Sequence, residues 1–157
     1  MARRRLLLSL RWGDMDAYRH VNNVQVVRLL EEARVRAFGL ESADGSPPVL
    51  ATGMVVASHR VTYLKPLDYR VAPVAVDLWV SRTGGASFDV DYEVCEPDTT
   101  AVGELRRYVS ASTTCVAYDF SAGRPRRLDE RERLRLAGLA DDASLPGEVS
   151  GDAAAGA

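Results

Sequence analysis

The sequence predicts an α+β domain in which one long helix packs on one face of an antiparallel sheet. Three observations predict it. A short segment of period two opens the chain, a single long helical pattern follows, and four alternating segments separated by turn residues come next. One helix covers one face of a sheet, and turns of a few residues join antiparallel neighbours. The other face is then left open, which invites pairing with a second copy.

Leu6, Leu8, Leu10 and Trp12 fall on one face of the opening strand. From Asn23 to Phe38, Val24, Val27, Leu30, Ala33 and Ala37 recur every three or four residues, with Glu31, Glu32, Arg34 and Arg36 on the wetter side. Asn22 or Asn23 is the expected N-cap and Gly39 the expected C′ residue. A loop over 41–48 ends in Pro47-Pro48. Val55, Ala57, His59, Val61 and Tyr63 alternate in the next strand, which stops at Lys65-Pro66. Val74, Val76, Leu78 and Val80 alternate in another, and Thr83-Gly84-Gly85 is a hairpin signal. Phe88, Val90, Tyr92 and Val94 alternate against Asp89, Asp91 and Glu93 in a half-buried strand. A turn over 96–100 leads to a last long strand over 103–118. The arginine-rich stretch Gly123 to Ala137 is compatible with a short C-terminal helix, and the Ala/Gly/Asp/Ser-rich residues 138–157 read as a disordered tail. Residues 1–137 therefore make the domain.

The 157 residues suffice for one domain with a sizeable core. A net charge of -2 excludes a global attraction to nucleic acid, and no apolar run is long enough for a membrane helix. Cys95 and Cys115 are far apart in sequence and match no metal-ligand spacing, so they read as reduced thiols. No metal, no cofactor and a cytoplasmic location are expected.

The chemistry concentrates in Arg11-Trp12-Gly13-Asp14-Met15-Asp16-Ala17-Tyr18-Arg19-His20-Val21-Asn22-Asn23. Two carboxylates, a histidine and two amides crowd one loop at the mouth of a helix. A helix start offers free N–H groups and a partial positive charge. A carboxylate beside such donors can attack a carbonyl, or activate water against it, while the donors hold the oxyanion. That combination points to hydrolytic acyl chemistry.

Asp14-Met15-Asp16, His20-Val21-Asn22-Asn23 and Glu31-Glu32-Ala33-Arg34 resemble the hotdog-fold acyl-CoA thioesterases related to 4-hydroxybenzoyl-CoA thioesterase. The first motif is also similar to that of the plant acyl-acyl-carrier-protein thioesterases. Val61-Thr62-Tyr63-Leu64-Lys65-Pro66-Leu67, Ser87-Phe88, and Val116 to Phe120 with Gly123-Arg124-Pro125 resemble later blocks in the same order. The resemblance implies an antiparallel five-stranded sheet wrapped around one long helix, working as a homodimer or homotetramer with acyl-CoA at the interface between copies. It places Asp16 as catalytic nucleophile or general base, Asn23 at the oxyanion position and His20 as a further catalytic residue. Tyr18 stands where the plant pattern has Asn, and Val26 where many relatives have Tyr, so both bear on the acyl pocket. His59, Arg60, Arg82 and Ser87 complete the substrate-binding candidates, Arg82 being the first choice for the CoA phosphates. The alternatives are an acyl-carrier-protein thioesterase or hydratase-like enzyme on this fold, or a non-catalytic acyl-CoA-binding protein.

Overall fold

The computed structural model describes residues 3–39, 53–97 and 106–141. Strand β1 spans Arg4–Leu8, helix α1 Asn23–Phe38, and strands β2 to β6 Met54–Tyr63, Val74–Thr83, Ser87–Cys95, Arg107–Asp119 and Arg124–Pro125. Helix α2 spans Glu130–Asp141. The sheet runs β1-β3-β4-β5-β2, with the two-residue β6 paired to β5. All five pairings are antiparallel. The expected α+β class and antiparallel sheet with α1 on one face are what the chain forms, but β6 adds a sixth strand to the expected five and a second helix, α2, also packs on the sheet through β3.

Helix α1 has the bounds its periodicity predicts, but the buried face is rotated. Val26, Leu29, Leu30, Ala33, Ala37 and Phe38 are buried, and so is Arg34, whereas Val24 is 72% exposed. The stripe is Leu30, Ala33, Arg34 and Ala37, an i, i+3, i+4, i+7 set that the charge of Arg34 disguises in sequence. Asn22 is the N-cap, its Oδ1 accepting from the Val24 N–H at 2.9 Å. Gly39 ends the helix in right-handed conformation (φ −93°), so the left-handed C′ geometry is not used.

Side chains on directly paired antiparallel residues share a face. Phe88, Val90, Tyr92, Val94, Val109, Ala111, Cys115 and Ala117 form the inner face beneath α1, in one buried cluster with the helix residues. Phe38 meets Phe88 edge-on, with ring centroids 5.9 Å apart. At the other end of the helix the Tyr63 hydroxyl donates to the Asn23 carbonyl at 3.3 Å. These two contacts set the direction of α1 along the sheet. Its start lies at the Tyr63 end of β2 and its finish at the β3–β4 hairpin.

Several local expectations change. Leu6, Leu8 and Leu10 turn inward, but β1 ends at Leu8, and Trp12, in a 3₁₀ turn Trp12–Asp14, is 75% exposed. A register shift between Val56 and Ser58 breaks the alternation of β2. Met54, Val56, His59, Val61 and Tyr63 pair with inward residues of β5, whereas Val55 pairs with outward Val116. The C-terminal helix begins only at Glu130, because residues 124–125 pair with β5, and it runs to Asp141, past the expected boundary at 137. Its Leu136, with Leu128, joins the main core. The outer face, expected to be open, carries ion pairs: Arg5 on Asp77 at 2.7 Å, and Arg3 and Arg107 on Glu93 at 2.5 and 3.0 Å. The 41–48 loop, the residues 98–105 before the last strand and the tail from 142 lie outside the described residues.

Candidate active site

The motif loop folds as a small hairpin. Met15 bridges Val21, the Asp16 N–H donates to the His20 carbonyl at 2.8 Å, and the Asn22 N–H donates to the Asp14 carbonyl at 2.8 Å. Arg19 takes the left-handed conformation at φ 66°, which closes the turn. The hairpin leans on residues 67–69: Val21 N–H donates to Leu67 O at 2.7 Å and Tyr69 N–H to Arg19 O at 3.2 Å.

The two carboxylates have different surroundings. Asp14 is 3% exposed. Its oxygens accept from Arg28 Nη2 at 3.0 and 3.1 Å, and Oδ2 also accepts from the Arg11 N–H at 2.7 Å. It therefore rivets the loop to α1. Asp16 is half-buried, and its Oδ1 accepts from the Tyr18 and His20 N–H groups at 2.8 and 3.1 Å. Its Oδ2 has no hydrogen-bond partner among the described residues, so one carboxylate oxygen is anchored and the other is presented.

The helix start offers one unclaimed donor. Asn22 Oδ1 takes the Val24 N–H, and the Asn22 carbonyl takes those of Gln25 and Val26 at 2.9 and 3.0 Å. That leaves the Asn23 N–H without an acceptor among the described residues, at an exposed position. Capping and presentation coexist here because the cap engages the second helical N–H and spares the first.

The remaining candidates are spread out. Tyr18 is 79% exposed at the hairpin tip. The His20 ring lies 3.6 Å from Asp68, so it faces the bracing segment, while its main chain holds Asp16. Val26 is 2% exposed and belongs to the core, not to an open pocket wall. Arg60 pairs with Ser112 on the outer face. Arg82 and Ser87 also lie on outward positions, at the hairpin beside Phe88 and hence at the far end of α1 from Asn23. Within one chain these three are not brought to the Asp16 loop, and Arg82 is already forked onto Asp89 at 2.6 and 3.3 Å. The Arg82 guanidinium holds the Asp89 carboxyl below its ordinary range. His59 faces inward on β2, with Nδ1 2.9 Å from Thr113 Oγ1. Sequence reasoning missed Arg28 as the partner of Asp14 and Tyr63 as a contact of the helix start. Both pairings join distant segments and leave no local signal.

A family model described as the thioesterase-like superfamily matches residues 10–138. The chain belongs to this family. Several solved thioesterases share its fold. A Xanthomonas campestris protein assigned as an acyl-CoA thioesterase is 31% identical, with a TM-score of 0.61, over 74% of this chain and 93% of that one. A thioesterase of Thermus thermophilus, solved with coenzyme A and zinc, is 26% identical with a TM-score of 0.69, over 88% and 94% of the two chains. A mutant 4-hydroxybenzoyl-CoA thioesterase, solved with 4-hydroxybenzoyl-CoA, is 16% identical with a TM-score of 0.70 over 87% and 99%, and shows the shared fold. No curated protein matches in sequence. The hotdog fold and thioester hydrolysis as the class of chemistry follow from membership in this family. Among the described residues no helix is long and apolar enough to cross a membrane.

Proposed function

We propose that this thioesterase-family chain hydrolyses an acyl-CoA to the free acid and CoA, with Asp16 as the reacting carboxylate and the Asn23 N–H as the oxyanion donor. The observation that carries the reading is the pairing of one presented oxygen, Asp16 Oδ2, with one unclaimed helix-start N–H in the same loop. As general base, Oδ2 takes a proton from water while the water oxygen adds to the thioester carbon. The C–S bond then breaks, and the CoA thiolate leaves and is protonated. As nucleophile, Oδ2 adds to the same carbon, the C–S bond breaks with departure of the CoA thiolate to leave a mixed anhydride, and water then cleaves that anhydride to the free acid and the Asp16 carboxylate. In both routes the Asn23 N–H steadies the charge on the carbonyl oxygen. His20 contributes its main-chain N–H to Asp16.

The chain is proposed to work as a homodimer or homotetramer. Edge strand β2 exposes most of its length without proline, a template for pairing. Twofold antiparallel pairing of two β2 strands sets the Met54 end of one copy beside the Tyr63 end of the other. The hairpin end carrying Arg82 and Ser87 is then brought towards the partner's helix start, which supports their reading as substrate-binding residues in trans.

The test is thiol release from a panel of acyl-CoAs by the wild type and by Asp16→Asn, with folding and oligomer mass checked in parallel. Asn keeps the Oδ1 acceptor that shapes the hairpin but is a poor base. The expected loss is about a hundredfold or more in kcat. Equal turnover by the variant removes Asp16 from the mechanism. Faster release from acyl-carrier-protein thioesters than from acyl-CoA selects the alternative substrate carrier.

A further inference from the structure

The turn that carries the proposed oxyanion donor is lightly held. Val21 and Val26 are buried, but Asn22, Asn23 and Val24 between them are exposed and send no side chain into the core. Among the described residues, two hydrogen bonds reach these three residues from other parts of the chain. The Asn22 N–H donates to the Asp14 carbonyl at 2.8 Å, just before the donor. The Tyr63 hydroxyl donates to the Asn23 carbonyl at 3.3 Å, just after it. The Asn23 N–H lies between the two ties.

Tyr63 has a firm footing. It ends strand β2 and pairs with Val109, which is buried on the inner face. The next two N–H groups, of Leu64 and Lys65, both donate to the Tyr108 carbonyl, at 2.8 and 3.2 Å. Tyr108 is itself buried, and its hydroxyl donates to Glu96, which also takes Arg70 Nη1 at 2.7 Å. The backbone of Tyr63 is thereby fixed to β5. Helix α1 does not need the Tyr63 bond to satisfy its own backbone. A carbonyl has two lone pairs, and a helical carbonyl takes the N–H four residues on with one of them. The hydroxyl occupies the second, so what it adds is direction. At 3.3 Å the bond is long for a hydroxyl donor, as hydrogen bonds at a reactive site often are until substrate tightens them.

We propose that Tyr63 is a positioning residue for the oxyanion donor: its hydroxyl fixes the first turn of α1 so that the Asn23 N–H meets the thioester carbonyl oxygen at a productive distance and angle. This rests on the reading above, in which that N–H holds the oxyanion. An N–H···O bond weakens steeply as its angle closes, and a preorganised donor counts most when charge develops on the oxygen. Tyr63 acts through the donor and not on the substrate, so it bears on kcat and not on KM.

Thiol release by Tyr63→Phe, Asn23→Pro and the double variant tests it, with oligomer mass and urea unfolding measured alongside. Asn23→Pro deletes the donor cleanly. Asn23 is the first helical residue, where proline is favoured, and Asn22, at φ −61° and ψ 143°, already has the conformation of a residue before proline. The expected loss is about a hundredfold in kcat. Tyr63→Phe should lower kcat about three- to tenfold, the range of one net hydrogen bond, with KM unchanged. In the Asn23→Pro background it should do nothing more. Full kcat in Tyr63→Phe, a raised KM with full kcat, or the same loss in both backgrounds overturns the proposal, the last because a general brace of the fold would act with or without the donor. Full kcat in Asn23→Pro, or no thiol release from any acyl-CoA by the wild type, fails the oxyanion reading, and the proposal falls with it. The Asn23 carbonyl ¹³C resonance of the free protein needs no turnover. It should move in Tyr63→Phe, and a resonance that stays in place overturns the tether itself.

Discussion

Removing the Asp14 carboxylate by Asp14→Ala tests how the reactive loop is held. Asp14 is 3% exposed, accepts two contacts from Arg28 Nη2 at 3.0 and 3.1 Å, and accepts the Arg11 N–H at 2.7 Å. Breaking a buried pair by deleting one partner costs about 3–5 kcal/mol when the other charge is left uncompensated. Arg28 is not left so. It keeps Gln25 Oε1 at 2.9 Å and Glu32 Oε2 at 3.3 Å, and its side chain is 28% exposed. The Arg11 N–H lies at an exposed residue, where water replaces its partner. What remains is the loss of charge-assisted hydrogen bonds in a sheltered place, about 2–3 kcal/mol. Urea denaturation of the wild type, Asp14→Ala, Arg28→Ala and the double variant measures both the total and the coupling. A coupling of about 1–2 kcal/mol is expected between the two side chains. Because the same contacts hold the hairpin that carries Asp16, thiol release should fall as well. A cost below about 0.5 kcal/mol with unchanged turnover refutes the claim that Asp14 positions the loop, since that is the range of an ordinary surface change.

Two further outcomes follow from the packing. Phe88 is fully buried and meets Phe38 edge-on, so Phe88→Ala should cost about 3–5 kcal/mol in denaturant unfolding, and a cost near that of a surface substitution would contradict the core described here. Burial pushes the Cys115 thiol up to about 11, and burial with the Asp77 charge pushes Cys95 to about 11 as well. Both thiols are accordingly expected to stay protonated at pH 8 and to react with a thiol reagent only on unfolding. Rapid labelling of the native protein would show that one of them is open to solvent.

The fold class was legible in the sequence because each element carries its own period. The bounds of α1 follow from Asn22 and Gly39, and the β3–β4 hairpin follows from Gly84-Gly85. These are local properties, set by which side chains recur at 3.6 or 2 residues and by which residues tolerate a turn. The motif loop was legible for the same reason, since Asp16, His20, Asn22 and Asn23 are close in sequence and fold as one hairpin.

Tertiary structure decided what those residues do to one another. Asp14 and Asp16 are two residues apart, and in sequence only the family resemblance separates Asp16 as the reacting carboxylate from Asp14. One is buried because Arg28, a helical turn and a half into α1, reaches back to it, and the other keeps an oxygen free because its own turn occupies only Oδ1. The bulge between Val56 and Ser58 moved Val55 to the outer face, and no pattern of alternation announces such a shift. Arg34 read as a solvated residue by its charge, yet its place beside Leu30, Ala33 and Ala37 buries it against Tyr92. Periodicity reports a side chain's direction from its own backbone. Whether a partner waits there depends on chain segments far away in sequence, and only the packed molecule brings them together.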